Sequence, residues 1–278
     1  MYLAHFGLLE LPFGLTPDTQ FIYSATAHQE ALNTLLVAVV GGDGFVKVTG
    51  EVGTGKTLVC RRFLATLDGA YLAAYIPNPQ VDAKTLLLMV AEELGADSSA
   101  GEAVHIVKHI NQRLLELAAE GKKVVLCIDE AQTMPKLTLE SLRLLSNLET
   151  EKRKLLQIAL FGQPELDEKL AENAFRQIRQ RIAFHYRMPM LRRNELDRYV
   201  DHRLNVAGHR GESLFTPSAR RALYRYSGGT PRLVNILAHK ALLAAFGEGR
   251  AKVGKAHVVG AAGDTEGAMR VPWWKLAW

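Results

Sequence analysis

The feature that most constrains this chain is a glycine-rich run at residues 50–57, which reads Gly-Glu-Val-Gly-Thr-Gly-Lys-Thr. It follows an apolar strand pattern at residues 45–48 and precedes a helical pattern that begins near Leu58. Glycines let the main chain approach phosphate oxygens, and a helix start attracts anions. Lys56 would span the β- and γ-phosphates, and the Thr57 hydroxyl would ligate magnesium. The run predicts a site for ATP and Mg²⁺ formed by Gly50, Glu51, Val52, Gly53, Thr54, Gly55, Lys56, Thr57 and Leu58.

Apolar runs alternate with helical periodicity up to about residue 190, which predicts an α/β fold with a parallel sheet. Strands are expected at about 45–49, 71–76, 123–128, 155–161 and 183–188. Helices follow near 192–207, 216–227 and 231–247. We therefore predict a nucleotide-binding core with an N-terminal segment at 1–190, a helical domain at 191–265 and a tail at 266–278 that holds all three tryptophans.

The apolar run 124–128 ends in two acids, Asp129 and Glu130. A buried central strand delivers such carboxylates to the C-terminal edge of a parallel sheet. The alternation of strand side chains is expected to point the two acids to different sides. Asp129 is then a candidate magnesium ligand beside Thr57, and Glu130 a candidate general base for the attacking water.

Polar residues near other element ends complete the candidate catalytic set with Lys56 and Glu130. Gln163 follows an apolar strand, where its amide could orient a water. Arg176, Arg179 and Arg181 crowd a helix end, from which a guanidinium could reach a neighbouring subunit's γ-phosphate. Arg181 is the first choice for this arginine finger and Arg179 the second. Arg232 begins a helix of the second domain, where it could bind the same nucleotide.

Charge is unevenly distributed along the chain. Residues 176–250 carry fifteen Lys or Arg and five acids, a balance of +10, so the remainder is −5 against a total of +5. Such a segment suits nucleotide phosphates, a neighbouring subunit, nucleic acid or anionic lipid, and the sequence does not choose among them.

Other patterns exclude some classes of protein. The longest apolar windows fall short of the roughly 18 to 20 residues that span a bilayer, and residues 1–7 lack a signal-peptide pattern, so a cytoplasmic location is expected. Cys60 and Cys127 have no metal or redox spacing and are expected in the core.

Several segments together resemble the AAA+ ATPases of the general secretion pathway protein A (ExeA) type. The resemblance is strongest to the shorter MshM-like proteins of mannose-sensitive haemagglutinin (MSHA) pilus biogenesis. The matching segments are residues 2–8, 12–18, 28–32 and 50–57, Asp129-Glu-Ala-Gln132, Phe161-Gly-Gln-Pro-Glu-Leu166 and Gly228-Gly-Thr-Pro-Arg232. They extend over nearly the whole chain, to about residue 265.

The resemblance implies a five-stranded AAA+ P-loop NTPase core with strand order 5-1-4-3-2, a C-terminal helical lid, and ATP held between subunits of a ring or similar oligomer. It places Gln163 at the sensor 1 position and Arg232 at the sensor 2 position. ExeA-like relatives continue into a membrane span and a peptidoglycan-binding domain, whereas this sequence stops at Trp278. Direct peptidoglycan binding is therefore not expected.

Three functions remain open. The first is an ATPase that supports assembly of a type IV pilus or a type II secretion machine, peripheral at the inner membrane and bound to an assembly protein there. The second is a DNA-dependent ATPase of the transposition-accessory type, for which the basic segment would bind phosphates. The third is a switch that binds ATP and hydrolyses it slowly.

Overall fold

Five short strands rich in β-branched and aromatic residues form one parallel sheet in the computed structural model of the chain. The structure describes residues 2–16, 19–21, 23, 26–97, 101–150 and 154–269. The chain divides into two compact units. One comprises Ala27–Glu51 and Lys56–Met188, and the other Met1–Thr26, Val52–Gly55 and Pro189–Trp278. Residues 270–278, which hold all three tryptophans of the tail predicted at 266–278, lie outside the described residues.

The first unit carries the sheet and its covering helices. Its elements in chain order are α1 (Thr26–Gly41), β1 (Phe45–Thr49), α2 (Lys56–Thr66), β2 (Tyr71–Ile76), α3 (Ala83–Leu94), α4 (Ala103–Ala119), β3 (Lys123–Ile128), α5 (Lys136–Leu145), β4 (Leu156–Gly162), α6 (Pro164–Ala171), α7 (Arg176–Arg181) and β5 (Ile182–Arg187). The strands pair in the order β2-β3-β4-β1-β5, all parallel. The predicted order 5-1-4-3-2 is this order read from the other edge and is confirmed.

Apolar side chains cover both faces of the sheet. One cluster joins Ile128 and Ile158 with residues of α3, α4 and α5, and a second joins Val48, Cys60, Phe63 and Cys127. Both cysteines are fully buried, as expected from their apolar surroundings. Because α/β crossovers place helices on both faces, the central strands lose contact with water on each side. Their carboxyl ends therefore form a rigid edge for polar side chains.

The second unit is helical. It contains α8 (Arg193–Val206), α9 (Pro217–Ser227), α10 (Pro231–Gly247) and α11 (Lys255–Gly263), the last of which the sequence reading did not predict. Pro at the first position of α9 and α10 fits a helix start, because the missing N–H would have no partner there. No helix among the described residues is both long and apolar enough to cross a bilayer.

Residues 2–16 pack into this helical unit, a different division from the predicted one, which joined them to the core. The side chains of Phe6 and Phe13 are buried in its cluster. The Tyr2 hydroxyl lies 2.9 Å from His239 Nδ1, and the Arg203 guanidinium donates to the Pro12 carbonyl oxygen at 2.5 Å. The physical reason is that this apolar segment has several large side chains to bury, and local periodicity does not say against which helices.

Gly229 connects α9 to α10 in a conformation that other residues rarely adopt. Its φ is +79°, and an added Cβ would lie 2.2 Å from the Leu191 carbonyl oxygen. The Leu191 N–H also donates to the Gly229 carbonyl oxygen at 2.9 Å, so a hydrogen bond joins the two segments at the point of closest approach.

We expect Gly229→Ala to lower the melting temperature, because left-handed backbone alone costs an alanine about 1 kcal/mol or more and the contact adds to it. Thermal unfolding followed by circular dichroism measures this. The matched control is Gly247→Ala at the end of α10, where an added Cβ meets nothing within 4 Å. Equal melting temperatures for the two variants would contradict the assigned geometry.

Candidate functional site

The glycine-rich run forms the turn between β1 and α2, as its spacing predicted. Gly53 and Gly55 have φ of +78° and +96°, values that glycine adopts without strain. The Gly50 N–H donates to the carbonyl oxygen of Gly162 at 3.2 Å, which ties the start of the turn to the end of β4. The turn leads directly into the first residues of α2, Lys56 and Thr57. This arrangement presents main-chain N–H groups and a helix start, which together suit an anion.

Lys56 is buried and folds back over the turn. Its Nζ donates to the carbonyl oxygens of Gly50 at 2.8 Å and Glu51 at 3.0 Å. Burial lowers the pKa of Lys56, while the nearby carboxylates of Glu130 and Asp129 act in the opposite direction. The ammonium therefore lies between the turn and the acids at the end of β3.

Asp129 follows the last residue of β3 and is 2% exposed. Burial raises the pKa of its carboxyl group, whereas hydrogen bonds from the Thr57 side chain and the Glu130 N–H lower it. A carboxylate and a hydroxyl in contact are the hard oxygen donors that Mg²⁺ selects, and Mg²⁺ usually takes few ligands from the protein. The two residues predicted as magnesium ligands are thus brought together and fit the ion chemically.

Glu130 lies in a turn and not in the strand on which the predicted alternation was based. β3 ends at Ile128, so strand alternation does not reach the two acids. Glu130 instead has φ of +50°, the one positive φ outside glycine among the described residues. A left-handed residue turns the chain at this point, immediately after the end of β3. Backbone strain of this kind often marks functional sites.

The Glu130 carboxylate binds two amide groups. Gln132 Nε2 donates to Glu130 Oε2 at 2.6 Å, and Gln163 Nε2 donates to the same oxygen at 3.2 Å. The Gln132 Oε1 accepts the Gln163 N–H at 3.0 Å. The structure therefore brings Gln163 into contact with Glu130. The sequence pattern predicted no role for Gln132, although this residue stands in the Asp-Glu-Ala-Gln motif at 129–132.

Ionic and hydrogen-bond contacts hold α6 on the sheet. This helix begins directly after Gln163. The Asp167 carboxylate binds Lys47 Nζ and, at 3.0 Å, the Thr49 hydroxyl, both on β1. Thr49 also lies 3.0 Å from His185 Nε2 on β5, and burial lowers the pKa of that histidine. Because β1 leads into the glycine-rich turn, these contacts fix the start of α6 relative to it.

The candidate finger arginines lie on α7 and mostly bind their own chain. Arg179 donates to the Ala171 carbonyl oxygen at 2.8 Å, and Arg181 donates to the Ser146 hydroxyl. The Arg176 N–H donates to the Asn173 carbonyl oxygen, and its side chain is exposed. The structure does not join any of the three to Glu130 within this chain.

Arg232 belongs to the helical unit, together with the tip of the glycine-rich turn, Val52–Gly55. Its N–H donates to the Gly53 carbonyl oxygen at 3.3 Å, and its guanidinium-bearing side chain is exposed. A Cβ added at Gly53 would lie 2.5 Å from Arg232 Cβ, so only glycine fits there. The residue predicted as sensor 2 thus lies against the turn that was predicted to bind phosphates.

Comparison with known proteins agrees with this geometry. Residues 40–170 match the family described as AAA domain. The chain is 44% identical over 255 residues to general secretion pathway protein A of Aeromonas hydrophila, an alignment that includes 91% of this chain. The chain spans 46% of the length of that relative.

Solved structures share the fold at low identity. The ORC2 protein of Aeropyrum pernix, in ADPNP–ADP complexes, has a TM-score of 0.64 at 17% identity, over 92% of this chain and 73% of that chain. CDC6P from Pyrobaculum aerophilum has a TM-score of 0.69 at 16% identity, over 91% and 72%. The RUVB Holliday junction branch migration motor of Thermotoga maritima has a TM-score of 0.56 at 16% identity, over 88% and 70%. Fold, domain match and relative together identify the chain as an AAA-domain protein with a P-loop fold, related to general secretion pathway protein A.

Proposed function

We propose that this chain binds ATP with Mg²⁺ and hydrolyses it with Glu130 as general base. The observation that carries the proposal is the grouping of four functional groups at the carboxyl edge of the sheet. These are the Lys56 ammonium, the Thr57–Asp129 pair, the Glu130 carboxylate and the Gln163 amide. A buried cation, an oxygen-rich metal site and a base held next to a polar amide are the parts that phosphoryl transfer to water needs.

The residues divide the chemistry as follows. Lys56 would exchange the carbonyl oxygens of Gly50 and Glu51 for β- and γ-phosphate oxygens, to which a cation binds more strongly. Thr57 and Asp129 would hold Mg²⁺, which when bound neutralises charge on the phosphates. Glu130 would take the proton of the attacking water, and Gln163 would orient that water.

Hydrolysis also needs a positive charge near the γ-phosphate. We propose that the chain self-associates into a ring or similar oligomer, in which Arg181 or Arg179 of one subunit completes the site of the next. Their present bonds to Ser146 and Ala171 would then exchange for phosphate oxygens. Arg232 would bind the nucleotide of its own subunit. The hydrogen bond from its N–H to the Gly53 carbonyl oxygen supports this role. We also propose that the helical unit after residue 190 acts as the lid.

The cellular role is proposed from the relative. Its name places it in the general secretion pathway. We infer that this chain supports assembly of a type II secretion machine, or of an MSHA-like type IV pilus, through a partner protein at the cytoplasmic side of the inner membrane.

A DNA-dependent ATPase is the second candidate, favoured by the basic segment. Arg221 and Arg225 of the helical unit are exposed and could face phosphates. Part of the basic segment is committed within the unit, because Arg198 hydrogen-bonds the Tyr23 hydroxyl, Arg220 binds Asp201 and Arg203 is buried. Hydrolysis per subunit across a range of protein concentration, with and without duplex DNA at fixed salt, separates the candidates. A rate that rises with concentration and ignores DNA supports the assembly ATPase, whereas strong stimulation by DNA supports the second candidate.

We expect Lys56→Ala to weaken ATP binding by about 10-fold or more, because a charge-assisted hydrogen bond to phosphate contributes roughly 1.5–3 kcal/mol. Equilibrium titration with a fluorescent ATP analogue measures this. Lys84→Ala, at an exposed lysine of α3, is the matched control and should bind as the parent does. Parent-like affinity in Lys56→Ala would overturn the phosphate-loop assignment.

Glu130→Gln should still bind ATP but hydrolyse it at least about 100-fold more slowly, the scale expected for loss of a general base. The neutral amide has a similar shape, so the loss would report on chemistry and not on folding. Phosphate release under saturating ATP gives kcat. Retained turnover in Glu130→Gln would show that another residue acts as the base. Slow turnover in the parent protein itself would instead favour the nucleotide-gated switch.

Arg181→Ala should abolish hydrolysis while leaving nucleotide affinity unchanged, because the finger acts on a neighbour's phosphate. Mixed with Lys56→Ala, it should regain activity, since one subunit then supplies the intact turn and the other the arginine. Activity is measured across mixing ratios, with each variant alone as the baseline. Arg179→Ala and Arg176→Ala are tested in the same way, and failure of all three to complement would count against a finger on α7.

A further inference from the structure

The side chain of Gln132 uses both ends of its amide inside the candidate site. Its Nε2 donates to Glu130 Oε2 at 2.6 Å, and its Oε1 accepts the Gln163 N–H at 3.0 Å. We propose that Gln132 is a positioning residue that fixes the Glu130 carboxylate and ties it to the start of α6. This inference rests on the proposed function, since it concerns the base of that same reaction.

The main chain around Gln132 is held from a second direction. Lys169 on α6 donates through Nζ to the carbonyl oxygens of Gln132 at 2.6 Å and Met134 at 2.7 Å. The Thr133 hydroxyl and N–H both donate to the Glu130 carbonyl oxygen, at 2.8 and 2.9 Å. With its backbone clamped in this way, the amide of Gln132 has little freedom to turn away from Glu130.

The two amide donors bind the same oxygen of the Glu130 carboxylate. Gln132 and Gln163 both bind Oε2, and among the described residues no hydrogen bond reaches Oε1. A carboxylate has about four acceptor positions, so Oε1 remains able to accept a proton from water. The geometry therefore assigns the proton-accepting role to Oε1 and the anchoring role to Oε2.

An amide is the group that this position requires. Gln132 must donate to a carboxylate and accept from a main-chain N–H at the same time, which a glutamine side chain does. A glutamate would still accept from Gln163 but would place a second negative charge against Glu130. A methionine fills nearly the same volume and makes neither strong hydrogen bond.

The experiment compares Gln132→Met and Gln132→Glu in the full chain, with kcat measured across pH and ATP affinity measured separately. We expect Gln132→Met to lose about 10-fold in kcat with ATP affinity unchanged. Gln132→Glu should lose more, and the acid limb of its pH–rate profile should move to higher pH, because a neighbouring anion makes Glu130 harder to ionise. A purely structural role would not move that limb.

Matched controls come from α4, where Gln112 Nε2 lies 3.4 Å from Glu116 Oε1 in an exposed pair. Gln112→Met and Gln112→Glu change the same chemistry away from the site and should leave kcat and the pH profile as in the parent. Circular dichroism and thermal melts establish that the Gln132 variants fold.

Two outcomes would overturn the inference. Parent-like kcat and pH profile in both folded Gln132 variants would show that Glu130 needs no such anchor. A fall in ATP affinity as large as the fall in kcat would show a general disturbance of the site. Glu130→Gln, measured alongside, keeps the two proposals separate. If it is inactive while the Gln132 variants behave as the parent, the base assignment stands and only the positioning role is lost.

Discussion

The burial of one carboxylate, that of Asp129, is the constraint on which the arrangement of the core depends. β3 runs between β2 and β4, and the Asp129 N–H continues the pairing by donating to the Ile76 carbonyl oxygen at 2.9 Å. An isolated buried charge would cost several kcal/mol, so partners must be close. Thr57 and the Glu130 N–H provide hydrogen bonds, and Lys56 provides the opposite charge. The first residues of α2 and the end of β3 are therefore parts of one electrostatic unit.

Much of this fold could be predicted from local patterns. Each of the strands starts and ends within one residue of its expected position, because buried parallel strands appear as short apolar runs between turn residues. The positions of Asp129 and Gln163 directly after strands, and of Lys56 at a helix start, followed from the same patterns. The strand order did not, since local periodicity carries no information on which strands are neighbours; it came from the family resemblance.

The details of the site depended on tertiary contacts that no local pattern contains. The left-handed turn at Glu130 replaces the expected strand alternation, and the role of Gln132 arises only because α6 brings Gln163 beside it. The formal charge of the basic segment also overstated the charge that a partner could bind. The basic segment has a formal balance of +10, yet Arg203 stacks on Phe21 and Arg220 pairs with Asp201, so the charge available to a partner is smaller than the count.

The packing of residues 2–16 among the C-terminal helices has a consequence for how the chain folds. Residues 27–51 and 56–188 form one unit whose contacts can develop as soon as they leave the ribosome. The helical unit, in contrast, joins Tyr2 to His239 across 237 positions of sequence. Closing so long a loop is slow, so residues 2–16 must wait for α8 to α11 before they can pack. During that interval Phe6 and Phe13 remain exposed, and residues 2–16 are where we expect chaperones to bind the nascent chain.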